Sequence, residues 1–67
     1  MIQIFVNNQT EQTTPQSLQS WMEQKGLVDK KGLALAKNDE MVPRSAWEQT
    51  QLQAGDHLLL IQATQGG

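Results

Sequence analysis

The chain has 67 residues, of which 37% are hydrophobic and 18% charged, with a formal net charge of −2, one histidine and no cysteine. A domain of this size buries only about 60% of the surface that its unfolded chain exposes, so a deep substrate pocket would leave little core, which argues against a self-sufficient enzyme. The sequence also lacks the basic run that nucleic-acid binding needs, the thiols of disulfides and the ligand spacing of a metal site.

The first thirteen residues predict a β-hairpin. Apolar and polar residues alternate over residues 1–7, with Ile4 and Val6 on the inner side. Asn7-Asn8 suits the tight turn, because asparagine tolerates the positive φ of such turns. The returning strand, residues 9–13, is polar, as suits an exposed sheet edge.

One main helix is predicted next. Ser17 is a suitable N-cap, because its hydroxyl can accept a hydrogen bond from a first-turn amide. An apolar stripe follows at helical spacing, and Gly26 is a natural C-terminal stop. Trp21, like Trp47 further along, is expected in the core rather than in a site, since large aromatic side chains dominate burial in a small domain.

The second half of the chain predicts short elements separated by turn residues. They are a strand over residues 33–37, a short strand over 40–42, one helical turn over 45–48 and a last strand over 57–63. In the strand over 33–37 we expect the alanines to lie under the helix, because Lys37 ends the other row, that of Leu33 and Leu35, and turns it towards solvent. Asp56 is expected to stabilise the turn before the last strand.

This order of elements is the β-grasp (ubiquitin-like) plan, an α+β fold with a mixed sheet of four to five strands and one main helix. The first and last strands would be parallel neighbours in mid-sheet. Residues 1–63 would form the domain and residues 64–67 a flexible C-terminal Gly-Gly tail. The longest apolar run, residues 58–61, is far shorter than the ~20 residues of a membrane span, and no signal peptide is visible. We therefore expect a cytoplasmic monomer with no membrane partner.

One face of the predicted sheet is the candidate docking surface. Phe5, Leu59 and Ile61 point outward if their neighbours point inward, and adjacent strands bring them together with Leu35 beside them. A contiguous apolar patch there would dock partner enzymes. The alternative is that single exposed apolar residues are ordinary. His57 has no catalytic partner at motif spacing and is expected to be a surface residue.

Gly66 and Gly67 end the chain directly after a predicted strand. A tail without side chains can pass through a narrow channel and lie against a partner's backbone. Its terminal carboxylate is a poor acyl donor, but an ATP-dependent partner can convert it to a mixed anhydride with AMP. That activated acyl group can accept a sulfur, an amine or a thiol. An incidental Gly-Gly end remains the alternative at this point.

The pattern around the tail has a family likeness. It consists of Asn38, Val42-Pro43-Arg44, Trp47, Leu52, Gly55-Asp56, the apolar strand from Leu58 to Ile61, and Gly66-Gly67. In this order and in a chain of this size, these residues resemble the ThiS family, the sulfur carriers of thiamine biosynthesis, over essentially the whole length. Lys37 and Trp21 depart from the family's usual residues.

The resemblance implies a chemistry at Gly67. A ThiF-type adenylyltransferase would use ATP and magnesium to adenylate the Gly67 carboxylate, and sulfur from a cysteine-desulfurase persulfide would displace AMP. Thiazole synthase (ThiG) would then take sulfur from the thiocarboxylate. The protein would be a cosubstrate with no bound cofactor, not an enzyme. Arg44 would pair with a partner carboxylate or act as a structural cation near the last carbonyls of its own turn.

Three alternatives share parts of this pattern. A sulfur carrier of another pathway, such as the small subunit of molybdopterin synthase, and a ubiquitin-like modifier both use the same activated intermediate. A β-grasp module that docks non-covalently through its sheet face, with an idle tail, is the alternative of a different class. Loss of function on deletion of Gly67 separates the carriers and modifiers from the module.

Overall fold

A computed structural model of the chain describes residues 1–62. Their elements are β1 (Ile2–Val6), β2 (Gln9–Thr13), α1 (Leu18–Lys25), β3 (Leu33–Lys37), β4 (Glu40–Met41), a 3₁₀ helix (Arg44–Gln49) and β5 (His57–Gln62). The predicted tail, with Gly66 and Gly67, lies outside the described residues. So does the boundary at residue 63 predicted between domain and tail.

The five strands form one mixed sheet in the order β2-β1-β5-β3-β4. β1 and β5 are parallel neighbours at its centre, with Phe5 opposite His57, and the other neighbouring pairs are antiparallel. The polar strand β2 lies at one edge, where unpaired backbone groups are least harmful on a hydrophilic strand. The predicted β-grasp plan is confirmed, with five strands.

The turn residues connect the strands at the positions that the sequence predicts. Asn7 and Asn8 join β1 to β2, and Asn38 and Asp39 join β3 to β4, all with positive φ. Asparagine and aspartate tolerate this region better than other residues with a side chain, which fixes both hairpins. Gly26 ends α1 at φ 71°.

The core lies between one face of the sheet and the two helices. Its buried residues are Ile4, Leu18, Trp21, Met22, Leu35, Trp47, Leu52 and Leu58. Both indole N–H groups are satisfied, since Trp21 donates to the Glu11 carboxylate at 3.2 Å and Trp47 donates to the Val42 carbonyl at 2.9 Å. The prediction that both tryptophans belong to the core is confirmed.

The predicted orientation of β3 is wrong. Leu35 is fully buried, and the alanines Ala34 and Ala36 lie on the other face of the sheet, opposite Ile61 and Leu59 of β5. Lys37 belongs to the inner row because its amine lies 3.4 Å from the Asp56 carboxylate and 3.2 Å from the Gln51 carbonyl. A lysine keeps a stem against apolar surface while its charge finds a polar partner, so a terminal lysine does not turn its row outward.

Within residues 1–62, no helix is long and apolar enough to cross a membrane. The longest, α1, has eight residues.

Candidate functional site

The sheet face turned away from the helices carries a shallow apolar groove. We call this surface, made by Phe5, Ala36, Met41, His57, Leu59 and Ile61, the outer face. The groove has a volume of about 390 Å³ and is bordered by Asn7, Asn8 and Asp39. Leu59 is 48% exposed and Ile61 47% exposed, so the surface is apolar and open to a partner.

The strand register explains why the groove forms. Met41 of β4 lies opposite Ala36 of β3, and Ala36 lies opposite Leu59 of β5. An alanine between two long side chains leaves a depression in the row. Ala36 therefore forms the floor of the groove and does not belong to the core under the helix.

An aromatic pair closes the groove on the β1 side. Phe5 and His57 are opposite each other on the parallel central strands, and their rings stack with centroids 4.4 Å apart and 17° between planes. Phe5 is half-buried, and the stack on His57 fixes the position of its ring.

The predicted docking residues are partly brought together. Phe5, Leu59 and Ile61 lie on the outer face as predicted, whereas Leu35 is in the core and is excluded from the patch. Met41, which is 62% exposed and lines the groove, was not predicted as part of the patch. Strand alternation could have found it, once Asn38-Asp39 was known to be a tight hairpin turn.

Arg44 has a structural role at a place that was not predicted. Its guanidinium donates to the carbonyls of Val28 and Lys30, in the loop that precedes β3, and lies 5.0 Å from the centre of the Trp47 ring. The prediction that Arg44 acts as a structural cation at the last carbonyls of its own turn is therefore wrong, because the carbonyls that it binds belong to the loop before β3. The pairing with a partner carboxylate stays a prediction.

A polar cluster fixes the start of β5. The Asn38 amide donates to the Asp56 carboxylate at 3.1 Å and accepts from the His57 N–H at 2.9 Å. Asp56, which is 5% exposed, also accepts from the Gln53 N–H at 2.8 Å and pairs with Lys37. The predicted turn role of Asp56 is confirmed, and several hydrogen bonds hold the start of β5 in place.

The outer face is suited to binding rather than to catalysis. Among residues 1–62 no three His, Cys, Asp or Glu side chains lie close enough to hold a metal ion. The His57 ring stacks on Phe5. The acidic residue at the groove, Asp39, is exposed in a turn. Apolar side chains around a shallow depression provide surface that a partner protein can bury on binding.

Comparison with known proteins agrees with this geometry. The family model described as the ThiS family matches residues 3–67. The sulfur carrier protein ThiS of Escherichia coli (strain K12) is 39% identical over 69 residues, covering 98% of this chain and all of that protein.

Solved structures carry the same fold. The crystal structure of the thiamine biosynthesis protein (ThiS) from Geobacter metallireducens matches with a TM-score of 0.84 at 16% identity, covering 98% of this chain and 100% of that one. A solution NMR structure of a thiamine biosynthesis protein from the same organism matches with a TM-score of 0.76 at 16% identity, covering 98% and 88%. At this identity the two structures establish the β-grasp fold.

Proposed function

The chain belongs to the ThiS family, and from that membership we propose that the carboxylate of Gly67 is the group that is activated and loaded with sulfur. The chain is a sulfur carrier of thiamine biosynthesis, a protein substrate rather than an enzyme. The observation that carries the proposal is a family match that extends through residue 67 and so includes both glycines.

The chemistry needs activation before sulfur transfer. A Gly67 carboxylate oxygen attacks the α-phosphorus of ATP on a ThiF-type adenylyltransferase, with magnesium neutralising the phosphates, and pyrophosphate leaves. The terminal sulfur of a persulfide, supplied by a cysteine desulfurase, attacks the acyl carbon and expels AMP. A thiol then reduces the acyl disulfide, which releases the thiocarboxylate and forms a disulfide.

Thiazole synthase (ThiG) is the acceptor in this proposal. Sulfur leaves Gly67 for the forming thiazole ring, and an oxygen from water restores the carboxylate. ATP and magnesium belong to the activating enzyme, and the carrier holds no cofactor of its own. We propose that the carrier is a monomer and that it works in the cytoplasm, where ATP is available.

The outer face is the proposed docking surface for the adenylyltransferase. Its apolar groove lies partly on β5, the strand that continues towards Gly66 and Gly67. A partner that covers Leu59 and Ile61 is therefore close to the point where the tail must enter an active site. Gly66 has no side chain, which suits a narrow entry channel.

Deletion of Gly67 tests the proposal. The shortened chain should bind the adenylyltransferase with little change but should support no thiazole formation in a reaction reconstituted with ATP, desulfurase and thiazole synthase. Addition of a glycine after Gly67 is the matched control for tail length and should also lose most transfer. Unchanged thiazole formation by the deletion variant would contradict the proposal and favour a non-covalent module.

A further inference from the structure

The second half of β5 has an open edge. β1 pairs with β5 at His57 and Leu58 and then turns back at Asn7. β3 continues along the other side of β5 as far as Gln62. Within residues 1–62, no strand lies beside residues 59–62 on the β1 side.

The backbone groups on this edge can be identified from their neighbours. The carbonyl of Leu58 accepts from the Asn7 N–H at 3.0 Å, so Leu58 faces the β1 side. Strand groups alternate in direction, so Leu60 and Gln62 face the same side. The Leu60 N–H donates to the Asn7 side-chain oxygen at 2.8 Å. An amide oxygen thus takes the place that the carbonyl of a neighbouring strand would occupy.

We propose that an extended segment of the activating enzyme pairs with this edge and adds a strand beside Leu60 and Gln62. The inference rests on the proposed function, because it supposes that the tail is delivered to an adenylyltransferase. The Leu60 carbonyl and the N–H and carbonyl of Gln62 offer the alternating acceptors and donor that an extended backbone matches. Asn7 covers the first position of the edge in the free carrier.

Two features of the chain favour an extended backbone as the occupant. Leu59 and Ile61 project onto the outer face directly beside the edge, so one partner can cover the apolar side chains and pair with the backbone. Beyond the edge, Gly66 and Gly67 have no side chains. A partner that must hold them in register has only backbone groups to bind, and pairing that begins at Gln62 sets that register.

N-methylation of Gln62, introduced by chemical synthesis of the chain, removes the donor that, within residues 59–62, faces this edge and is not bound by Asn7. Binding to a ThiF-type adenylyltransferase without ATP should weaken about fivefold, as for loss of one intermolecular hydrogen bond. Gln62→Ala is the matched control, since it removes the side chain and keeps the N–H, and it should bind within about twofold of the unmodified chain.

Amide hydrogen exchange gives a second readout that does not depend on the size of the methyl group. In the complex, the Gln62 N–H should exchange about tenfold more slowly than in the free carrier, while Ile61, whose N–H faces β3, should change little. An unchanged rate at Gln62, or full affinity of the N-methyl chain, overturns the inference. An unmodified chain that binds but is never adenylated contradicts the proposed function instead.

Discussion

At the scale of single residues, the shape of the outer face depends on one small side chain, Ala36, and on one aromatic stack, Phe5 on His57. Ala36 leaves room between Met41 and Leu59, and the Phe5 ring stacks on the His57 ring. Without the alanine there is no depression, and without the stack the aromatic ring loses its fixed position. The apolar surface offered to a partner is therefore ordered before binding, which lowers the entropy lost on association.

Phe5→Asp should weaken binding to the adenylyltransferase by at least about tenfold, because it places an unpaired charge in a surface that becomes desolvated. Titration calorimetry measures the change. Gln12→Asp is the control, since it adds the same charge to the exposed edge strand β2 outside the groove. Both variants should keep the circular dichroism of the parent, and equal affinity of the two would contradict a docking role for Phe5.

Asn38→Gly should lower the free energy of unfolding by about 1–3 kcal/mol, because it leaves the buried Asp56 carboxylate with one donor fewer and the His57 N–H without its acceptor. Glycine keeps the positive φ of the turn, so the loss reports the side chain alone. Asn8→Gly, at the second position of the first hairpin turn, where φ is also positive, should be close to neutral in the same urea denaturation experiment. Equal effects of the two substitutions would show that the polar cluster contributes nothing.

At the scale of elements, α1 is fixed at both ends by local chemistry. The Ser17 hydroxyl accepts a hydrogen bond from the Ser20 N–H at 3.1 Å. At the other end, the Gly26 N–H donates to the carbonyls of Met22 and Glu23. A helix of eight residues is too short to be stable alone, so its caps and its buried face must act together. The pattern of capping residues is local, which is why the sequence predicts both ends of this helix correctly.

Ser17→Ala should destabilise the protein by about 1 kcal/mol, the usual cost of losing a side-chain N-cap. Thermal unfolding followed by circular dichroism measures it. Ser45→Ala is the control, because Ser45 is exposed in the 3₁₀ helix and that helix has no side-chain cap. If the two substitutions lower the melting temperature equally, the capping role of Ser17 is wrong.

Leu35→Ala should destabilise the protein by about 2–5 kcal/mol, as expected for a cavity in a close-packed core. Leu59→Ala, its counterpart on the outer face of β5, should change stability by less than about 1 kcal/mol and weaken docking instead. Urea denaturation together with a binding titration separates the two effects. A mild effect of Leu35→Ala on stability would contradict the orientation of β3.

The sequence predicts the elements, the turns and the order of the strands because these depend on neighbours in the chain. It does not predict the orientation of β3, because Leu33 to Lys37 has apolar side chains on both faces and one lysine whose partner, Asp56, is distant in sequence. The sequence does not predict that Arg44 binds the carbonyls of Val28 and Lys30, because these partners are also distant in sequence. Phe5, Leu59 and Ile61 are placed correctly because simple alternation on central strands suffices.

At the scale of the whole molecule, β5 contributes to the apolar outer face and is the last element before the C-terminal residues. β5 is held at its start by Asn38 and Asp56 and contributes Leu59 and Ile61 to the outer face. In the proposed function, a partner that binds the outer face would receive Gly67 in the same binding event.

The account is tested most directly by the intact mass of the chain after incubation with ATP, a ThiF-type adenylyltransferase and a persulfide donor. We expect the mass increase of one oxygen replaced by sulfur, located at Gly67 by fragmentation and absent when ATP is omitted. A chain that keeps its original mass with an enzyme that loads the Escherichia coli relative would contradict the assignment of Gly67 as the sulfur-carrying group.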